Sequence, residues 1–177
     1  MTKNTNPVEG VYYCKRDCAG LIRRVVIAAI DLGVLFGILI LVHMVAWAFA
    51  PNERRYAQIL VLGSLVLAYA YLVFLKRSLG TPGYWITGVR IVDLFGKRPS
   101  IIRMTGRFLW LAFSPLSLVL DLIWLTGEET RQTLRDKVVG IYVVRKKAVP
   151  AGTGPEKIKV ISIAGLYLRF REIERYA

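Results

Sequence analysis

Three long apolar runs interrupt an otherwise polar and charged chain. They cover residues 25–50, 57–75 and 108–125 and admit only two charged side chains, Asp31 and Asp121; the other 35 charges of the 177 residues lie outside them. A soluble fold buries its apolar residues as stripes spaced three or four apart and has no need to sort charge so completely along the sequence. The first run, 26 residues, is about 39 Å long as a helix, against a hydrocarbon core of about 30 Å. The second, 19 residues, is about 28 Å long. Both predict membrane-spanning helices. A cleaved signal peptide would have an apolar core of about 7–15 residues near its start. Here 24 polar and mixed residues come first, and the longer run that follows is expected to stay.

The third run carries Pro115 at its eighth position. Proline has no N–H to continue a helix, so Ser114-Pro115 reads as a break between two short apolar helices. We read this run as a re-entrant or interfacial hairpin packed on the first two helices, the alternative being a full third span. The expected fold is therefore an all-α membrane protein with two transmembrane helices, a Pro-broken third apolar segment and a small cytoplasmic β-ribbon. It divides into an N-terminal segment (1–18), a membrane domain (19–146) and a basic tail (147–177).

Charge supplies the orientation. The chain has 25 basic and 12 acidic residues, a net +13, with a mean hydropathy of +0.46. Such a balance would fit nucleic acid, but every basic residue lies outside the apolar runs. By the positive-inside rule the N-terminus, the middle loop 76–107 and the C-terminal region belong in the cytoplasm, and the anionic leaflet becomes the expected partner. The charge sorting excludes a free DNA-binding domain and an ordinary cytosolic enzyme. The expected location is the plasma membrane of a prokaryote.

In the middle loop, Val89, Ile91 and Leu94 intersperse with Arg90 and Asp93 as in a short strand, and Gly96-Lys97 reads as its closing turn. Residues 140–144 form a second β-prone run able to pair with it. Beyond a glycine- and proline-rich linker at 150–155, Val160, Ile163, Tyr167 and Phe170 recur every three or four residues among basic ones. That spacing fits a basic amphipathic helix on anionic lipid, while residues 158–163 fit a strand equally well.

Arg24 with Asp31, then Gly80-Thr81-x-Gly83 leading to Gly88-Val89-Arg90-Ile91-Val92-Asp93 and Gly96-Lys97, then Arg131-Gln132-Thr133-Leu134-x-Asp136-Lys137, together resemble the RDD family of small membrane proteins. The resemblance maps the arginine and two aspartates of the family name onto Arg24, Asp31 and Asp136, and it implies a membrane module for which transport is the usual suggestion. Tyr84 stands where lysine is frequent in that family, and Arg135 where histidine is frequent, so a proton relay through that histidine does not apply here.

Asp31 lies about 9 Å into the first run, where an ionised carboxylate costs roughly 2.5–3.5 kcal/mol and needs a partner or water. Arg24 is about 10 Å away along the helix axis, so Arg107 or Arg131 is the expected partner. Arg24, Asp31, Asp136, Arg131 and Arg107 form the expected charge cluster. It would act either as a proton or cation site or as an ion-pair staple. Gly33 and Gly37 form a GxxxG suited to close helix packing, within the chain or in an oligomer. Asp121 reads as solvated at the membrane interface, His43 as a packing residue, and Trp47, Trp110 and Trp124 as interfacial anchors. Cys14 and Cys18 read as free thiols, with no metal and no cofactor expected. None of the P-loop, zinc-protease, nucleophile-elbow or dinucleotide signatures is present, so an enzyme is not expected. Two functions remain. One is an ion- or solute-transport component acting as an oligomer or a membrane-complex subunit; the other is a non-catalytic scaffold recruiting proteins through its ribbon and tail.

Overall fold

The computed structural model describes residues 9–49, 54–113, 117–127, 130–163 and 166–175. In chain order the elements begin with β1 (Glu9–Tyr12), a 3-10 turn (Lys15–Asp17), α1 (Leu21–Phe49) and α2 (Arg54–Tyr69), followed by a π-helical segment (Ala70–Leu75), α3 (Lys76–Ser78) and α4 (Pro82–Thr87). After these come β2 (Val89–Asp93), α5 (Ile101–Phe113), α6 (Ser117–Gly127), α7 (Leu134–Val139), β3 (Ile141–Arg145), β4 (Gly152–Ile163) and β5 (Leu166–Ile173). They form two compact units, Ile22–Thr87 and the paired segments Met1–Leu21 with Gly88–Ala177.

The first of these units is built from the two apolar runs. Leu21–Ala48 and Tyr56–Thr87 are long and apolar enough to cross a membrane, and only 17% and 12% of their most apolar windows are buried within the protein. Phe36, Leu41, Trp47, Leu62 and Leu65 all stand exposed. The core helix of a soluble domain would be covered; these apolar surfaces need lipid or other helices against them. The chain is a membrane protein with helices and small sheets.

In the other unit, the third apolar run becomes α5 and α6, with Ser114 and Pro115 outside the described residues. The two helices touch one another and both pack on the short α7. Arg107 of α5 and Asp121 of α6 reach Asp136 and Arg135, which are adjacent on α7. In one continuous helix Arg107 and Asp121 would lie about 21 Å apart along the axis. Folding back brings both to one turn of α7.

The expected ribbon forms: β2 and β3 pair antiparallel, from Val89 opposite Arg145 to Asp93 opposite Ile141. Asp93 Oδ1 accepts hydrogen bonds from the backbone N–H groups of Phe95 and Lys97, both at 2.9 Å, and Gly96 takes the left-handed conformation (φ 74°) that closes the turn.

The tail differs from one of its two sequence readings. It is a β-hairpin, not an amphipathic helix, and β4 is the centre of a three-stranded sheet ordered β1-β4-β5. Residues 152–155, read as part of a linker, pair with β1, from Glu9 opposite Pro155 to Tyr12 opposite Gly152. The β-branched residues Ile158 and Val160 alternate with Lys157 and Lys159, a period of two that suits a strand, and an eight-pair ladder with β5 satisfies the backbone. So the fold is not all-α outside its one ribbon; a second sheet joins the N-terminal segment to the tail. Tyr13, Cys18, Val92, Leu94, Tyr142, Val144, Ala148 and Ile173 make one buried cluster drawn from all three polar stretches. Tyr13 and Tyr142 meet edge to face at 5.6 Å, and burial pushes both phenols above their usual pKa.

Candidate functional site

Asp31 is 2% exposed in the middle of α1's apolar sequence, and three donors from one stretch of chain close on it. Lys76 Nζ lies 2.7 Å from Oδ2, Thr81 Oγ1 donates to the same oxygen at 2.8 Å, and the backbone N–H of Gly83 donates to Oδ1 at 3.0 Å. The local sequence explains how they converge. The π-helical segment widens the helix just before Lys76, so the residues after it emerge on a shifted face. Gly80, in the left-handed conformation (φ 81°), then ends the helix, its N–H donating to Leu75 O at 3.0 Å. Thr81 and Gly83 follow immediately. A Cβ on Gly83 would sit 2.6 Å from Asp31 Oδ1 and 2.8 Å from Ile27 O, so only glycine lets this backbone approach the carboxylate.

Lys76 also lies over the Tyr84 ring, 4.8 Å from its centre, and keeps 13% of its side chain exposed. The ammonium is thus held by a charge and a π face while it retains contact with the surface. Tyr71, in the π-helical segment, is buried, and its hydroxyl has no hydrogen-bond partner among the described residues.

The second charge cluster is assembled on α7. Thr133 caps it, its hydroxyl accepting from Asp136 N at 3.3 Å, and Gly140 ends it in the left-handed conformation. Asp136, fully buried, meets Arg107 Nε at 3.1 Å. Asp121 Oδ2 lies 2.9 Å from Arg135 Nε, and its Oδ1 accepts from Arg135 N at 3.2 Å. Gln132 donates to Ile141 O at 2.8 Å, tying the segment before α7 to β3. The motif 131–137 therefore docks the α5–α6 pair and the ribbon onto one another.

Of the residues singled out in the sequence, Asp136 and Arg107 do meet. Asp31 takes hydrogen bonds from Lys76, Thr81 and Gly83. Arg24 is buried, and the Arg131 guanidinium lies against Gly20, where an added Cβ would come 3.2 Å from it. Gly33 and Gly37 have nothing within 4 Å of where a Cβ would stand, so among the described residues no helix of this chain packs on them. His43 Nδ1 lies 2.7 Å from Leu39 O of its own helix. Asp121 is a correction: it is 1% exposed and paired, not solvated, because the fold-back brings Arg135 to it. Lys76 was legible only as the first basic residue after the second apolar run, and Thr81 and Gly83 only as members of the GTPG motif.

Comparison with known protein families matches residues 18–140, more than half of the chain, to the family described as the RDD family. No curated protein and no solved structure matches.

Proposed function

The chain belongs to the RDD family, and from that premise we propose that it is an ion-transport component of the membrane, acting as an oligomer, with Asp31 as its exchangeable charge. The carrying observation is the buried Asp31–Lys76 pair in the unit built on the two long apolar helices. Two apolar residues of similar volume would hold these helices together at lower desolvation cost, so a buried ion pair here is weak evidence for a purely stabilising device. A proton or cation arriving at Oδ2 would replace Lys76 as the counter-charge. The ammonium, part exposed, would turn to water, while Gly83 N–H keeps the carboxylate aimed. On departure of the ion, Lys76 returns, which prevents a bare buried charge. Tyr71, with its unpartnered hydroxyl, offers a polar group beside this path.

An oligomer suits the same reading, because two spans and a hairpin enclose little volume, and the open GxxxG of Gly33 and Gly37 leaves a close-packing face on α1. The distribution of basic residues favours a cytoplasmic N-terminus and a cytoplasmic polar unit apposed to anionic lipid, in a prokaryotic plasma membrane.

A second reading, a non-catalytic scaffold, draws on the size of the polar unit, whose two sheets present edges and exposed basic side chains for partner proteins. The deciding experiment is flux in proteoliposomes. Purified protein should dissipate an imposed cation or proton gradient, and Asp31→Asn should fold and insert but abolish that flux. No flux in either would favour the scaffold, and equal flux in both would refute Asp31 as the exchangeable charge.

A further inference from the structure

The polar unit holds a cleft of about 690 Å³ between the end of α6, α7 and the tail hairpin, bordered by Trp124, Lys137, Lys157, Lys159, Glu172 and Arg175 among others. Its charge is unbalanced. One carboxylate, Glu172, serves both Lys137 and Lys159, each at 3.5 Å, and Lys157 meets Glu174 at 2.6 Å, while the Arg175 guanidinium adds a further positive charge. Among the described residues, four cations thus line the cleft against two carboxylates. Trp124 contributes an indole N–H that is buried and has no hydrogen-bond partner among the described residues.

We propose that this cleft binds the phosphodiester headgroup of an anionic phospholipid. Ammonium groups and a guanidinium are donors, and the non-bridging oxygens of a phosphodiester are acceptors that carry charge. Ile158 lines the cleft, and exposed apolar residues on the elements that carry its lining point to the lipid as the source. On α6, Val119, Leu120 and Ile123 are exposed beside Trp124, and on the hairpin Ile158, Val160 and Tyr167 are exposed beside the lysines. An apolar helix that ends in a tryptophan next to a basic hairpin matches the change from acyl chain to headgroup at a membrane surface. A free phosphate would gain nothing from that apolar border. The proposal rests on the reading that the polar unit lies at an anionic leaflet, and it is independent of transport.

The test is lipid binding to the full-length protein in mild detergent, followed by native mass spectrometry with phosphatidylglycerol and phosphatidylcholine as probes. Lys157 and Lys159 are about 60% exposed, so neutralising them leaves the fold intact. The wild type should prefer phosphatidylglycerol, and Lys157→Gln with Lys159→Gln should weaken that preference by about fivefold for each lysine. A control pair of equal charge, Lys146→Gln with Lys147→Gln, should change it little. Trp124→Phe, which removes only the N–H and part of the ring, should weaken it as well. Equal loss in both lysine pairs would leave a general attraction to the leaflet and overturn the cleft. No preference in the wild type would overturn the leaflet reading and the cleft together. Displacement of the lipid by millimolar glycerol phosphate would overturn the lipid assignment in favour of a soluble phosphate.

Discussion

Lys76 and Asp31, 45 positions apart in the chain, meet at 2.7 Å in the unit built on the two long apolar helices. Removing one member of a buried pair leaves the other uncompensated, which costs about 3–5 kcal/mol. Lys76→Met should therefore destabilise the protein by that order, while Lys76→Met combined with Asp31→Leu should recover most of the loss. Thermal unfolding in detergent across the four variants measures the coupling. Additive losses would mean that the two side chains do not act as a pair.

Gly83→Ala puts a methyl group 2.6 Å from Asp31 Oδ1. The backbone must withdraw, taking its N–H from the carboxylate, at a cost of about 1–3 kcal/mol. The same change at Gly33 or Gly37 meets open space and should leave the monomer's stability nearly unaltered. If those two positions form an oligomer contact, the substitution will instead lower the oligomeric state seen by light scattering.

Arg107→Ala takes the guanidinium away from the fully buried Asp136 carboxylate. The expected loss is again about 3–5 kcal/mol, and it should appear as undocking of the α5–α6 pair. Cysteines placed on exposed positions of α5 and at the half-buried Val138 of α7, cross-linked by a short reagent, would report the docking. Unchanged cross-linking in the variant would refute the staple role of this ion pair.

The tail lies outside the family match yet completes the core of the polar unit. Ile173 lies against Gly10 and within the cluster of Tyr13, Leu94 and Tyr142. Ile173→Ala should cost about 2–5 kcal/mol. Deletion of residues 148–177 should expose that cluster and make β1 sensitive to protease. A truncated protein as protease-resistant as the full chain would show that the hairpin is dispensable.

Cys14 is exposed and Cys18 buried, both as free thiols. A membrane-impermeant maleimide should modify Cys14 and spare Cys18 until the protein unfolds. If the N-terminus is cytoplasmic, labelling will occur in inverted vesicles and not in intact cells. The opposite pattern would reverse the orientation read from the basic residues.

Sequence by itself determined the features that depend on near neighbours. Hydropathy over some twenty residues marked the two spans, alternation marked β2, a β-prone run marked β3, and the order of short motifs marked the family. Pro115 pointed to two helices where the third apolar run lies, since a missing N–H is a local property. Tertiary structure decided which charges meet. A carboxylate buried in a helix takes whichever donor the chain delivers, and delivery depends on distant geometry: the π-helical segment and the turn at Gly80 bring Lys76, Thr81 and Gly83 to Asp31, while the fold-back of α5 and α6 brings Arg135 to Asp121. The tail followed the same rule. Its spacing was compatible with helix and with strand, and backbone pairing with β1, at the other end of the chain, decided for the strand.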